Sequence, residues 1–230
     1  HGTPLICAIS LQNIEITSLL LKYGAKIDNK HGMELDIALQ TQNYELIELL
    51  IQHKADVNYV YKNDNPYLFH QLELQNNRIT LLLLKDTIDV NAINTKGITL
   101  LQSALNQNNL EIAQALLQKG ANPNKESKNI GPPLLIAMQN KNISAIKLLL
   151  AYNADPYQLF NRVPLINYSS FCWTITKCCI ENGPTPPQSL SEELLWKAVH
   201  NQCSLSALAL LHQGAHPNST STTKLKLTLL

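Results

Sequence analysis

Residues 5–28, LICAISLQNIEITSLLLKYGAKID, and residues 35–58, LDIALQTQNYELIELLIQHKADVN, are written to one scheme. Each opens with a short apolar turn and breaks at a step containing Asn. A longer apolar stretch with a Leu-Leu pair follows, ending near Gly-Ala or a relative of it. Residues 100–124 and 134–156 repeat the scheme. The equivalent markers Ala8, Ala38, Gln71, Ala104, Ala137, Tyr168 and Ala198 stand at spacings of 30, 33, 33, 33, 31 and 30 residues. Within the longer stretches, apolar residues recur at helical spacing: Ile14, Leu19, Leu20 and Leu21 in the first, Ile112, Leu116 and Leu117 in the fourth. Gly24, Gly120 and Gly214 fall just past the last periodic residue, where a left-handed cap suits glycine. Helices this short cannot bury an apolar face alone, so neighbouring pairs must stack to complete a core.

A period near 33 with two helices and a turn resembles the ankyrin-repeat family. Thr3-Pro4-Leu5 fits its Thr-Pro-Leu turn, and Gly97-Ile98-Thr99-Leu100-Leu101 and Val163-Pro164-Leu165 are variants of it. Gly24-Ala25, Gly120-Ala121 and Gly214-Ala215 fit the Gly-Ala that ends the second helix. The resemblance implies an all-α solenoid of about seven stacked helix–turn–helix repeats with β-turn fingers. The repeats lie near 1–28, 29–58, 59–91, 92–124, 125–157, 158–187 and 188–218, within an array spanning 1–218. Residues 219–230 begin a further repeat or form a tail, with a strand over Leu225 to Leu230 as the rival reading. Both ends look cut from a longer protein. Departures fall in repeats three and six: Gln71 and Tyr168 take the marker, and Thr87 takes the Gly position. The family's usual His after Thr-Pro-Leu is replaced throughout, for example by Ile6, Asp36, Phe69 and Gln102.

The chain's 230 residues carry 18 basic and 17 acidic side chains, a formal charge of +1, which provides no overall field for nucleic acid or anionic lipid. Apolar runs such as Leu81 to Leu84 are too short to span a bilayer. Cys7, Cys172, Cys178, Cys179 and Cys203 are odd in number, and an adjacent pair makes a poor disulfide framework. Reduced thiols in a cytoplasm fit best.

No phosphate-binding glycine loop occurs. Aligning Ile175 with Ile16 places Cys178 and Cys179 on the Leu19-Leu20 pair, so core packing is expected of them rather than metal ligation or nucleophilic chemistry. His212 and His216 are separated by Gly214, which ends the helix between them. Glu192-Glu193 follow Ser191 and read as a capped helix start rather than as catalytic acids. No catalytic, cofactor or metal site is expected.

What remains is surface. In the family, partners usually dock on the concave groove of finger tips and first helices. By alignment, that groove carries Tyr59, Tyr61, Lys62, Asn63, Asn65, Glu73 and Leu74 in repeat three. It continues with Lys96, Ile98, Asn106 and Gln107 in repeat four, and Lys128 and Asn140 in repeat five. Tyr59, Tyr61 and Tyr67 are hot-spot candidates, although Tyr67 stands at the family's Pro position and leans toward packing. Phe160, Arg162 and Phe171 offer a fallback location. The expected function is a monomeric, non-catalytic module that binds another protein, with no nucleic acid, cofactor or membrane insertion. The alternative is the non-catalytic targeting arm of a larger multidomain protein, such as a bacterial effector enzyme acting in a host cytoplasm. The Asn-, Gln-, Ile- and Lys-rich composition is compatible with that origin.

Overall fold

The computed structural model describes residues 2–58, 60–61, 65–85, 88–127, 130–169, 173–200 and 202–218. Among them are thirteen α-helices in stacked pairs, the all-α architecture that the spacing implied. The chain divides into two compact units, His1–Asn122 and Pro123–Leu230. The first holds four pairs: α1 (Pro4–Ser10) with α2 (Ile14–Lys22), α3 (Met33–Thr41) with α4 (Tyr44–Gln52), α5 (Tyr67–Glu73) with α6 (Asn77–Leu83), and α7 (Leu100–Asn106) with α8 (Leu110–Gln118). The second holds α9 (Pro133–Gln139) with α10 (Ile143–Ala151), a short 3-10 helix (Leu165–Ser169) with α11 (Trp173–Asn182), and α12 (Gln188–His200) with α13 (Ser204–His212). Among the described residues, strand is confined to fingers: β1 (Val60–Tyr61) pairs antiparallel with β2 (Asn65–Pro66), and β3 (Leu159–Phe160) with β4 (Val163–Pro164). The further repeat, tail or strand read over 219–230 lies outside the described residues.

Local chemistry explains where the helices start. Thr3 caps α1, with Pro4 already in its first turn, where a missing N–H costs nothing. Thr99 caps α7 reciprocally: its hydroxyl accepts from Gln102 N at 3.2 Å, and Gln102 Oε1 accepts from Thr99 N at 2.8 Å. Gln102 therefore does local work at the position where the family usually has His. The breaks within the first five pairs use one device. A residue with positive φ (Gln12, Gln42, Gln75, Asn108 or Lys141) turns the chain. The Asn that follows, at 13, 43, 76, 109 or 142, accepts from the backbone N–H of the first turn of the second helix.

Ser191 does not cap a helix. It lies buried inside α12, its hydroxyl donating to Gln188 O at 2.7 Å. The helix begins three residues earlier because Pro186 and Pro187 stop the preceding chain and Pro187 O receives the first helical N–H bonds. Glu193 instead pairs with Lys197 at 2.7 Å.

The core is a set of columns running from repeat to repeat. Leu50, Leu83 and Leu116 are fully buried in the first unit, as are Leu149, Cys179 and Leu210 in the second. Cys178 and Cys179 are both buried, as the alignment predicts. In the first pair, the predicted apolar face is covered on one side only. Leu21 is buried, but Leu19 is 54% exposed and Ile16 49%, whereas Leu46, the equivalent of Ile16, is 0% exposed. The columns of Ile16 and Leu19 face the side on which, in later repeats, a preceding pair lies. Gln71, unusual at a small-residue marker, is also fully buried, its Oε1 taking a bond from Gln42 Nε2 at 3.3 Å.

Adjacent fingers are stitched at their bases by asparagine. Asn29 Nδ2 donates to Lys54 O at 2.9 Å, and its Oδ1 accepts from Asp56 N at 2.8 Å. Asn58 Oδ1 accepts from Asp89 N at 3.1 Å. Asn91 reaches both Gly120 O (3.3 Å) and Asn122 N (2.8 Å). In the second unit, Asn124 bridges to Asn153 O (2.9 Å) and Asp155 N (2.8 Å). Tyr157 takes the next position, and its buried hydroxyl has no partner. Burial, with Cys179 nearby, raises the phenol's pKa. Because these bonds join neighbouring repeats, Asn91→Ala should cost about 1–2 kcal/mol, the net worth of two hydrogen bonds. A urea-unfolding midpoint unchanged from wild type would show that the bridge contributes nothing.

Candidate partner-binding face

In the first unit the first helices lie side by side. α1 packs on α3, and α5 packs on α7. Tyr67 at the start of α5 is buried, its hydroxyl donating to Gly32 O at 2.9 Å. Tyr67 is thus a packing residue, as its position at the family's Pro suggested. Beyond it on α5, Glu73 is exposed and Leu74 is 52% exposed, and on α7 Asn106 is exposed and Gln107 half-buried. Glu73 and Leu74 stand two and three residues past the marker Gln71, as Asn106 and Gln107 do past Ala104, so they hold equivalent positions on packed neighbouring helices. Gln107 Oε1 is buried without a partner.

The fourth finger is a tight hairpin that Asn94 organises. Its Oδ1 accepts from Lys96 N (3.0 Å) and Ile98 N (2.9 Å), while Asn94 N donates to Ile98 O (3.0 Å). Lys96 is exposed at the tip, Ile98 is half-buried, and Ile93, 52% exposed, pairs across with Thr99. The turn is built by Asn94 and Gly97, whose φ is 72°, so the Lys96 side chain takes no part in holding it. In the third finger, Tyr61 and Asn65 are register partners in the β1–β2 hairpin. Tyr59, Lys62 and Asn63 lie outside the described residues, as does Lys128 of the fifth repeat. Asn140, in the second unit, is exposed at the end of α9. The short first finger closes on Asp28, whose carboxylate takes Lys30 N (3.0 Å) and the His31 ring (2.6 Å); the His31 bond lowers its pKa.

The fallback residues divide. Arg162 is exposed at the tip of the β3–β4 hairpin, where Asn161 and Arg162 both have positive φ (49° and 64°). Phe160 lies against Gly131: a Cβ built there would meet the Phe160 ring at 3.1 Å. Phe160 is therefore engaged in packing between repeats five and six. Phe171 lies outside the described residues.

Elsewhere the surface offers little chemistry. A hollow of about 440 Å³ beside α12 and α13 is lined by Leu195, Trp196, Val199, Ala207 and Leu211. Its titratable neighbour, His200, is stacked on Trp196 with ring centroids 5.7 Å apart. α13 ends at His212 and Gly214 turns the chain at φ 94°, which takes His216 off the helix. No grouping of three metal-ligating side chains occurs among the described residues, and no described helix is long and apolar enough to cross a membrane. Burial pushes the Cys179 thiol up to about 12 and raises that of Cys178. At pH 8 both should resist a thiol reagent in the folded protein and react on unfolding. Peptide mapping that finds either labelled at the rate of exposed Cys7 would contradict this.

Stacked helix pairs with hairpin fingers and an exposed first-helix face define a repeat protein. A family profile described as ankyrin repeats, in three copies, matches residues 1–61 and 68–159. The chain belongs to the ankyrin-repeat family. It is similar to an ankyrin repeat protein of Rickettsia bellii (strain RML369-C), with 43% identity over 65 residues. That match covers 28% of this chain and only 8% of the relative's length. Its fold is like that of the crystallised ankyrin repeat domain of Bcl-3, a member of the IkappaB protein family. There the TM-score is 0.58 at 21% identity, covering 94% of this chain and 87% of that one. Ankyrin repeat domains are generally protein-binding modules.

Proposed function

We propose that this array binds a partner protein and performs no chemistry of its own. In the first unit the binding surface comprises the tips and first helices of repeats three and four: Tyr59, Tyr61, Lys62, Asn63, Asn65, Glu73, Leu74, Lys96, Ile98, Asn106 and Gln107. In the second unit, Lys128 and Asn140 hold the corresponding positions. The observation that carries this reading is the division of labour in the fourth finger. Asn94 and Gly97 fix the turn, leaving the exposed Lys96 side chain without a part in holding it, and Leu74 at the end of α5 is half-exposed. Such residues on a rigid scaffold are what recognition surfaces are made of. The buried thiols suit a reducing compartment such as cytoplasm.

A second reading, in which the array is the targeting arm of a larger protein, is favoured by one finding. The Rickettsia relative is many times longer than the segment it shares with this chain. Both readings are tested by affinity capture from cytosolic extract, followed by titration of the captured protein against wild type, Tyr61→Ala and Lys96→Glu. Equal affinity for all three would remove the proposed surface from consideration.

A further inference from the structure

Charge is not spread evenly over the first unit. On the second helices, the outward columns headed by Glu15, Ser18 and Lys22 hold seven formal charges over four repeats: Glu at 15, 45, 48 and 111, Lys at 22 and 85, and Arg78. On the first helices, the columns headed by Cys7, Ser10 and Leu11 hold one, Glu73, with His taken as neutral, and the half-buried Asp36 beside them adds a second, bonded to Gln40. That face is nevertheless exposed at Ser10, Leu11, Gln40, Leu74 and Asn106, with Leu11 74% exposed. Solvent contact alone would favour charge on both sides, as the second helices show. A surface kept accessible and uncharged, with leucines beside amides, is matched to a partner rather than to water.

We infer that the first-helix face of repeats one to four takes a peptide segment without formal charge. Its apolar side chains would rest on Leu11 and Leu74, and its backbone amides would meet Gln40, Asn106 and Gln107. This rests on the protein-binding reading and specifies the partner's chemistry. An acidic segment would surrender its hydration on this face and find no cation in return, and a basic one would find Glu73 and the half-buried Asp36, whose Oδ2 is already held by Gln40 Nε2 at 3.1 Å. Lys96 and Asp28 sit on the fingers, at the rim, where charge sets encounter rate more than affinity.

The test is selection of a phage-displayed random peptide library on the full chain. Selected peptides should be depleted in Asp, Glu, Lys and Arg relative to the input. Their dissociation constants should change by less than about twofold between low and high salt, since screening acts only on charge. Leu74→Glu should weaken them by about tenfold or more. Asn106→Asp, equal in shape but charged, should weaken them while leaving the circular dichroism unchanged, which separates lost contact from misfolding. Charge-rich binders, affinity that collapses in salt, or indifference to both variants would overturn the inference while leaving protein binding intact. A selection that yields no specific binder would overturn both.

Discussion

Gly131→Ala should destabilise the protein by about 2–4 kcal/mol, a large fraction of the stability of an ordinary domain. Two costs combine. Gly131 has φ 77°, a region that a side chain enters at about 1–2 kcal/mol. The added Cβ would also stand 2.8 Å from Leu135 Cδ2 and 3.1 Å from the Phe160 ring. The side chain of Leu135 is 1% exposed and has no room to withdraw. Gly120→Ala is the internal control. Its φ is 89°, but nothing lies within 4 Å of the new methyl group. It should pay only the backbone cost, about 1 kcal/mol. Urea titrations of the two variants side by side measure the difference. If both fall equally, the Phe160–Gly131 contact is not the tight seam that the distances describe.

Tyr61→Ala should weaken binding of an identified partner roughly thirtyfold, corresponding to about 2 kcal/mol, and leave the unfolding midpoint nearly unchanged. Tyr61 stands in a two-residue strand and is the register partner of Asn65, so the hairpin holds its backbone. Tyrosine offers a large, semi-rigid contact with a polar end. The third, fourth and fifth markers are spaced 33 residues apart, the full length of the family's repeat. Calorimetric titration against thermal melting separates the outcomes. A lower melting temperature with unchanged affinity would make Tyr61 a packing residue like Tyr67. The search would then move to the exposed tip at Arg162.

Much of the fold was legible because the signals were local. Thr3 and Thr99 are caps that any helix start can use, and Gly120 and Gly214 mark ends that only a residue without Cβ tolerates cheaply. Ser191 misled because a good capping residue before two glutamates looks like a start, yet Pro186-Pro187 was the stronger punctuation. Leu19 misled because periodicity reports which face is apolar but not whether a neighbour covers it. The asparagines at 13, 43, 76, 109 and 142 were visible as a break, but their capping role becomes plain only once the helix start is known. The candidate surface was placed by alignment, and Leu74 and Asn106 are indeed exposed. Its lack of charge became readable only after each residue could be assigned to a first or second helix. Tyr67 could be separated from Tyr61 in part, by its position at a packing column.

The asparagine bridges have a consequence for how such a chain can change over generations. Asn91 and Asn124 reach main-chain atoms of the following repeat, Gly120 O and Asn153 O, and Asn29, at the start of repeat two, reaches Lys54 O near that repeat's end, rather than side chains. A main-chain carbonyl is present whatever residue carries it. Each repeat therefore brings a linker that fits any successor of similar backbone, and a duplicated or deleted unit can rejoin its neighbours without a matching mutation. The array behaves as a set of interchangeable parts up to Tyr157, where the asparagine is replaced and the buried hydroxyl meets no partner.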